Sequence, residues 1–141
     1  MRPLATATQQ RPATKRPPLS EQAARGRRFR DNAHDFLPWA FGTELWSKQR
    51  EVAEAVSRHK KVAVKSAHGP GKTWLAARLA VWFLSTRKPA EVVTTAPTWQ
   101  QVAALLWKEI NLAWGELRIP EIKDAGECML TRLHFGPGHE A

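Results

Sequence analysis

The sequence has 141 residues, of which 43% are hydrophobic and 25% charged, and this composition excludes a largely disordered chain and a protein built from apolar membrane spans. The net charge is +9, and residues 1–30 contribute +7 through eight basic residues and one acidic residue. Such a basic segment is attracted to polyanions such as nucleic acid, or it serves only as a solubilising tail.

The cysteine, the histidines and the apolar runs indicate which disulfides, metal sites and membrane spans the chain could contain. Cys128 is the only cysteine, so an intrachain disulfide is excluded, and the five histidines show no spacing typical of metal ligands. The longest nearly apolar run, from Trp74 to Leu84, has eleven residues and contains Arg78. Because a helix needs about 20 apolar residues to cross a bilayer, we expect no membrane span.

The first part of the chain predicts an arm followed by two helices. Residues 1–19 hold four prolines among Thr, Gln and Arg, which predicts a disordered basic arm, and residues 20–141 are predicted to form one domain that begins at Ser20. A first helical stripe consists of Phe29, Ala33, Phe36 and Ala40. A second helix is predicted to start at Ser47, and its inward residues are Val52, Ala55 and Val56.

The middle of the chain alternates between two periodicities. "KVAVKS" and "AEVVTTA" are short and rich in β-branched residues, which predicts two buried strands. "KTWLAARLAVWFLS" and a segment that starts at Thr98 predict helices, the second with Thr98 as cap and Trp99 in the core. The predicted fold is therefore α/β, a βαβα unit with parallel strands preceded by helices, and weak alternation near Leu133 and Phe135 predicts one further strand.

The loop between the first predicted strand and its helix has the pattern of a phosphate-binding loop. "SAHGPGKT" matches G-x-x-x-x-G-K-[ST] except at its first position. Its backbone N–H groups and Lys72 are predicted to bind the phosphates, and the hydroxyl of Thr73 to bind Mg²⁺. The candidate residues are Ser66, Ala67, His68, Gly69, Pro70, Gly71, Lys72 and Thr73. Pro70 lacks an N–H, and a chance GKT in a turn is the alternative.

Three segments, "LWSKQREVAEAV", "VAVKSAHGPGKTWLAARLAVWFL" and "EVVTTAPTWQQVAALLWKEI", resemble the N-terminal ATPase region of tailed-bacteriophage terminase large subunits over Leu45 to Ile110. These motors are P-loop ATPases of RecA-like fold that package DNA into proheads. The resemblance implies ATP and Mg²⁺ as cofactors and Gln49 as the residue that contacts the adenine. It also implies double-stranded DNA, a small terminase subunit and a portal protein as partners, a homo-oligomer, and the cytoplasm of the bacterial host during virion assembly.

Two parts of the family pattern have no counterpart in the sequence. No apolar strand ends in Asp-Glu after "AEVVTTA", so the metal-binding and catalytic carboxylates of the family are missing, and so is its nuclease domain. We therefore expect a truncated ATPase region that binds ATP through Lys72 and Thr73, its candidate catalytic residues, without hydrolysing it unaided, and that is marginally stable or self-associates. The alternatives are a helicase-like P-loop ATPase and a non-enzymatic DNA-binding remnant that acts through its basic arm.

Overall fold

The computed structural model of the chain describes residue 24, residues 27–67, 69, 71–87, 89–128 and 133–134. The arm predicted at residues 1–19 and the predicted start at Ser20 lie outside the described residues. The described part is mainly helical: residues 27–30 are helical, and there follow α1 (Ala33–Phe41), α2 (Ser47–Arg58), α3 (Lys72–Thr86), α4 (Trp99–Gln101), a π-helical segment (Val102–Trp107), α5 (Lys108–Glu116) and α6 (Pro120–Ala125).

The first predicted stripe is confirmed, because its four residues are all buried. The helix is interrupted at residues 31–32, and α1 begins where the Asn32 carbonyl accepts a hydrogen bond from Phe36 N at 3.0 Å. At its other end α1 stops at Gly42, which has the left-handed φ of 62° that glycine adopts without steric cost. The N–H of Gly42 donates to the Pro38 carbonyl at 2.8 Å.

One hydrophobic core joins residues 27–41, α2, α3, α5 and residues 117–119, which we call the helical body. Helix α3 lies in its centre, packed against both α1 and α5. The Trp82 side chain is 1% exposed, and its indole Nε1 donates to the Phe29 carbonyl at 2.7 Å. The chain returns to α1 after α5, where Arg118 N donates to the Ala40 carbonyl at 2.8 Å.

A single charged side chain is buried among the described residues of this core. Arg78, which is 1% exposed, lies 3.9 Å from the Trp74 ring centroid and donates to the Trp74 carbonyl at 3.1 Å. Its guanidinium also forms ion pairs with Glu109 at 3.6 Å and with Glu116 of α5. Because those carboxylates neutralise the buried charge, Arg78 links α3 to α5 across the core.

The predicted α/β fold with parallel strands is wrong. Residues 61–66 and 90–96, the two predicted strands, have no regular secondary structure and belong to no β-ladder in the described residues. A parallel strand is stable when neighbouring strands pair with its edges and helices cover its faces, and β-branched composition alone does not supply those partners. Alternate residues of 91–96 are half-buried, and Val92 and Thr94 line a groove together with residues of α3.

A small β-hairpin ends the described residues. β1 (Glu127–Cys128) pairs antiparallel with β2 (Leu133–His134), so that Cys128 lies opposite Leu133. The strand predicted near Leu133 is thus present, while Phe135 lies outside the described residues. Burial raises the pKa of the Cys128 thiol. Among the helices described, each is too short or too polar to cross a membrane.

For the long helix that begins after Thr98, the predicted cap is correct, but the predicted burial of the next residue, Trp99, is not. The Thr98 hydroxyl accepts a hydrogen bond from Gln101 N at 3.3 Å, so the predicted cap is confirmed. Trp99, however, is 68% exposed, and the prediction that it packs in the core is wrong. The packing against α3 is made by the π-helical segment and α5, which leave the first turn of this helix at the surface.

Candidate nucleotide-binding site

A cleft of about 380 Å³ lies between α2, the exposed residues 62–66 and the first turn of α3. Its floor is apolar and includes Val52, Ala55 and Leu75. Residues 62–66 form one wall of the cleft, and the predicted phosphate loop begins at Ser66. The cleft therefore lies where helices α2 and α3 meet the exposed residues 62–66.

Lys72 closes the loop from the first position of α3. Its Nζ donates to the carbonyl of Ser66 at 3.2 Å, to the hydroxyl of Ser66 at 3.0 Å and to the carbonyl of Ala67 at 2.5 Å. All three acceptors are exposed neighbours in the loop, so the ammonium group lies in water at the rim of the cleft. An anion that replaced these neutral acceptors would meet a positive charge already held at the helix N-terminus.

Gly71 gives the loop the shape that starts α3. It adopts φ 76° and ψ 24°, in the left-handed region, and its carbonyl accepts the first helical hydrogen bond, from Leu75 N at 2.9 Å. Gly69 also has a positive φ, of 91°. Gly71 is the N-cap of α3 and has no side chain that could accept a hydrogen bond from the N–H groups of the first turn.

Gln49, in the first turn of α2, lies beside Gly71. Its Oε1 accepts a hydrogen bond from Trp46 N at 3.4 Å. Its Nε2 lies 3.1 Å from the point where a Cβ at residue 71 would stand. The amide of Gln49 therefore joins the start of α2 to the start of α3, and any larger residue at position 71 would press against it.

The structure brings together most of the residues predicted for this site. Those that line the cleft are Gln49, Ser66, Gly71 and Lys72, and Ala67 is held through the Lys72 hydrogen bond. Thr73 is exposed one position further along α3, and Gly69 is exposed in the loop. His68 and Pro70 lie outside the described residues.

Sequence reasoning missed the aromatic member of the cleft. Trp46, three residues before Gln49 in the sequence, lines the cleft and is 51% exposed. Val62 and Val64 also line the cleft. The sequence shows only that Trp46 directly precedes the predicted helix start at Ser47, where a cap does not require an aromatic residue, and it does not show that this residue lines a cleft.

Charges around the cleft are mostly positive. Lys65 and Lys72 line it, and Lys48 donates to Glu51 at 2.8 Å. That hydrogen bond, together with the charge of Glu51, raises the pKa of Lys48. Glu51 is the only acidic residue among the described lining residues, and Lys48 already engages it. The cleft is thus suited to an anionic ligand with an apolar part.

Comparisons with models of protein families, with curated proteins and with solved structures found no match to this chain.

Proposed function

We propose that this chain binds ATP in the cleft, with the phosphates at Lys72 and the first turn of α3. The observation that supports the proposal most directly is the hydrogen bond from the Lys72 ammonium to the Ser66 hydroxyl, at the start of a helix whose N-cap is a glycine. A lysine and a helix N-terminus together provide the charge and the donors that phosphate oxygens need. The cleft volume of about 380 Å³ lies in the usual range for small-ligand pockets.

Mg²⁺ is proposed to accompany the nucleotide, with the hydroxyl of Thr73 as its ligand from the protein. Thr73 is exposed beside Lys72, which leaves its hydroxyl free to approach a phosphate-bound ion. Within the described residues there is no group of three or more His, Cys, Asp or Glu side chains able to hold a metal. The ion would therefore depend mainly on phosphate oxygens and water, as Mg²⁺ commonly does.

The resemblance to terminase large subunits supplies the biological part of the proposal. In that reading the chain is the ATP-binding N-terminal part of a DNA-packaging motor, which acts on double-stranded DNA as a homo-oligomer with a small subunit and a portal protein. We propose nucleotide binding, rather than turnover, as the property of this chain alone. The described residues of the cleft hold one carboxylate, and Glu51 is already paired with Lys48.

Replacing Lys72 by alanine tests nucleotide binding. We expect Lys72→Ala to lower the affinity for ATP with Mg²⁺ by roughly tenfold to 100-fold, because a charged hydrogen bond contributes about 1.5–3 kcal/mol. Titration calorimetry on the full chain measures the affinity, and circular dichroism checks the fold. Lys108→Ala is the matched control, since Lys108 is an exposed lysine on α5. Equal ATP binding by Lys72→Ala and the unaltered chain would reject the site.

A second candidate function is DNA binding through the basic N-terminal segment. Arg27, Arg28 and Arg30 are exposed, which leaves three positive charges free to contact phosphates. The test is the salt dependence of binding to duplex DNA after deletion of residues 1–19 and after replacement of the three arginines by alanine. Deletion through residue 30 would also remove Phe29 from the core. This candidate predicts that Lys72→Ala leaves DNA binding intact.

A further inference from the structure

Residues 90–96 are a segment of strand composition that has no partner strand in the described residues, and we propose that they pair with the same residues of a second copy of the chain. Between positions 91 and 96 the odd-numbered residues are exposed and the even-numbered residues are half-buried. A period of two is that of a β-strand with one face against protein and the other in water. The segment therefore already has the exposure pattern of an edge strand.

The backbone of this segment offers donors and acceptors to another strand. Among the described residues, the backbone N–H and carbonyl groups of 91–96 take part in no hydrogen bond. Val92 and Thr94 line a groove of about 400 Å³ together with Leu79 and Phe83 of α3, whereas Val93 is 80% exposed. A segment that is packed on one face and has unpaired backbone groups is a template to which a second strand can add.

Two prolines set the length and the centre of the pairing. Pro89 and Pro97 flank the segment, and because proline has no N–H it cannot donate in a β-ladder. Seven residues lie between them, with Val93 in the middle. Two copies that pair through the same residues are related by a two-fold axis, and their strands run antiparallel. An axis at Val93 brings all seven residues into the pair.

This register places compatible side chains opposite each other. Residues directly opposite in an antiparallel pair lie on the same face of the sheet, so Val93 meets Val93 of the second copy on the exposed face, and Glu91 meets Thr95 there. On the other face Val92 meets Thr94, and both grooves lie on one side of the pair. Glu91 is the only charged residue of the segment, so no like charges stand opposite each other in this register.

The segment at residues 61–66, which also lacks a strand partner in the described residues, is not suited to the same pairing. Its residues are all exposed, and Lys61 and Lys65 carry positive charges. If it paired with itself about Ala63, Lys61 would stand opposite Lys65 of the second copy at both ends, which is destabilising. Lysines on an edge also discourage strand addition. In a chain whose net charge is +9, residues 90–96 are therefore the segment at which two copies meet without basic side chains opposite each other.

The contact is small, because seven residues from each copy bury less than the roughly 800 Å² per partner of a standard stable interface, and we expect a weak dimer. Sedimentation velocity of the full chain over a range of concentrations measures its dissociation constant. Thr95→Glu places a second negative charge opposite Glu91 and should raise this constant, whereas Thr95→Lys should lower it, each by about twofold to 30-fold, since two such pairs form per dimer. Both effects should shrink in high salt. Ser47→Glu and Ser47→Lys are the matched controls, because Ser47 is exposed on α2 and the net charge changes equally.

Disulfide formation tests the position of the two-fold axis. In a Cys128→Ser background, Val93→Cys brings two thiols to directly opposite positions, where the Cβ atoms stand about 4.5–5.5 Å apart. A mild oxidant is expected to link the two copies, and non-reducing electrophoresis measures the linked fraction. Val64→Cys in the same background is the matched control, because Val64 is an exposed valine of the other segment. Adding Thr95→Glu to Val93→Cys should lower the linked fraction.

An unaltered chain that stays monomeric at every concentration overturns the inference. So does a dimer on which Thr95→Glu and Thr95→Lys act alike, since its contact then lies elsewhere or in another register. Linkage of Val64→Cys to the same extent as Val93→Cys would show that the thiols meet by random collision, and would overturn it too. None of these results bears on ATP binding, because no residue of 90–96 is among the described residues that line the cleft at Lys72.

Discussion

Similar apolar residues are buried in the helical body and exposed in the segment at residues 61–67. In the body, Phe36, Val81 and Trp82 are removed almost completely from water. In the exposed segment, Val64 remains 48% exposed and lines a cleft. The buried contacts that stabilise the chain are therefore concentrated in the body, whereas the candidate site lies at its edge, between α2, residues 62–66 and the start of α3.

The largest expected loss of stability comes from removing a large side chain from the core of the helical body. Phe36→Ala should lower the free energy of unfolding by about 3–5 kcal/mol, because it leaves a cavity among Phe29, Phe41 and their neighbours. Val64→Ala should lower it by less than about 1 kcal/mol, since that side chain is already half in water. Urea unfolding measures both values. Equal losses would show that the two regions share one core.

The buried arginine permits a finer test of the body. Arg78→Ala is expected to lower the free energy of unfolding by about 2–4 kcal/mol through lost packing. Arg78→Met, which still fills the space against Trp74, is expected to change it by less than about 1 kcal/mol. The partner carboxylates keep access to water, Glu109 at 29% and Glu116 at 55% exposure, so they are not stranded. If both variants lose the same stability in urea unfolding, the ion pairs dominate.

The smallest expected changes in the free energy of unfolding come from replacing two glycines by alanine. Gly71→Ala should lower the free energy of unfolding by about 1–2 kcal/mol, because its φ of 76° is strained for alanine, and it should weaken ATP binding where a Cβ meets Gln49. Gly115→Ala lies in α5 with no atom within 4 Å of the new Cβ, and should gain about 0.5–1 kcal/mol. Thermal unfolding and calorimetry check these values. A Gly71→Ala protein that binds ATP normally would contradict the assigned loop geometry.

The helices were predictable from sequence because their signals are local. The start at Ser47, the cap at Thr98 and the stripe of Phe29 and Ala40 depend on spacing within a few residues. The sheet was not predictable in the same way, since a strand depends on partners distant in sequence. Residues 61–67 have a strand composition but no ladder in the described part of the chain.

In the candidate site, too, the residues with local sequence signals were predictable and those that depend on distant contacts were not. Its loop was found from the fixed spacing of Ser66, Gly71 and Lys72, whose backbone requirements are local. Trp46 was missed because the sequence does not show that α2 places it across from the loop. Arg78 was noted only as an interruption of an apolar run, and its burial became visible only with Glu109 and Glu116 in place.

The return of residues 117–119 to α1 has a consequence for synthesis of the chain. Leu117 and Ile119 belong to the same core as Phe36, and Arg118 N is bonded to the Ala40 carbonyl. During translation the first helix leaves the ribosome well before these residues do. Because the contacts that hold it are distant in sequence, the body is completed late, and a nascent chain that stops short of residue 119 keeps part of α1 uncovered for chaperones to bind.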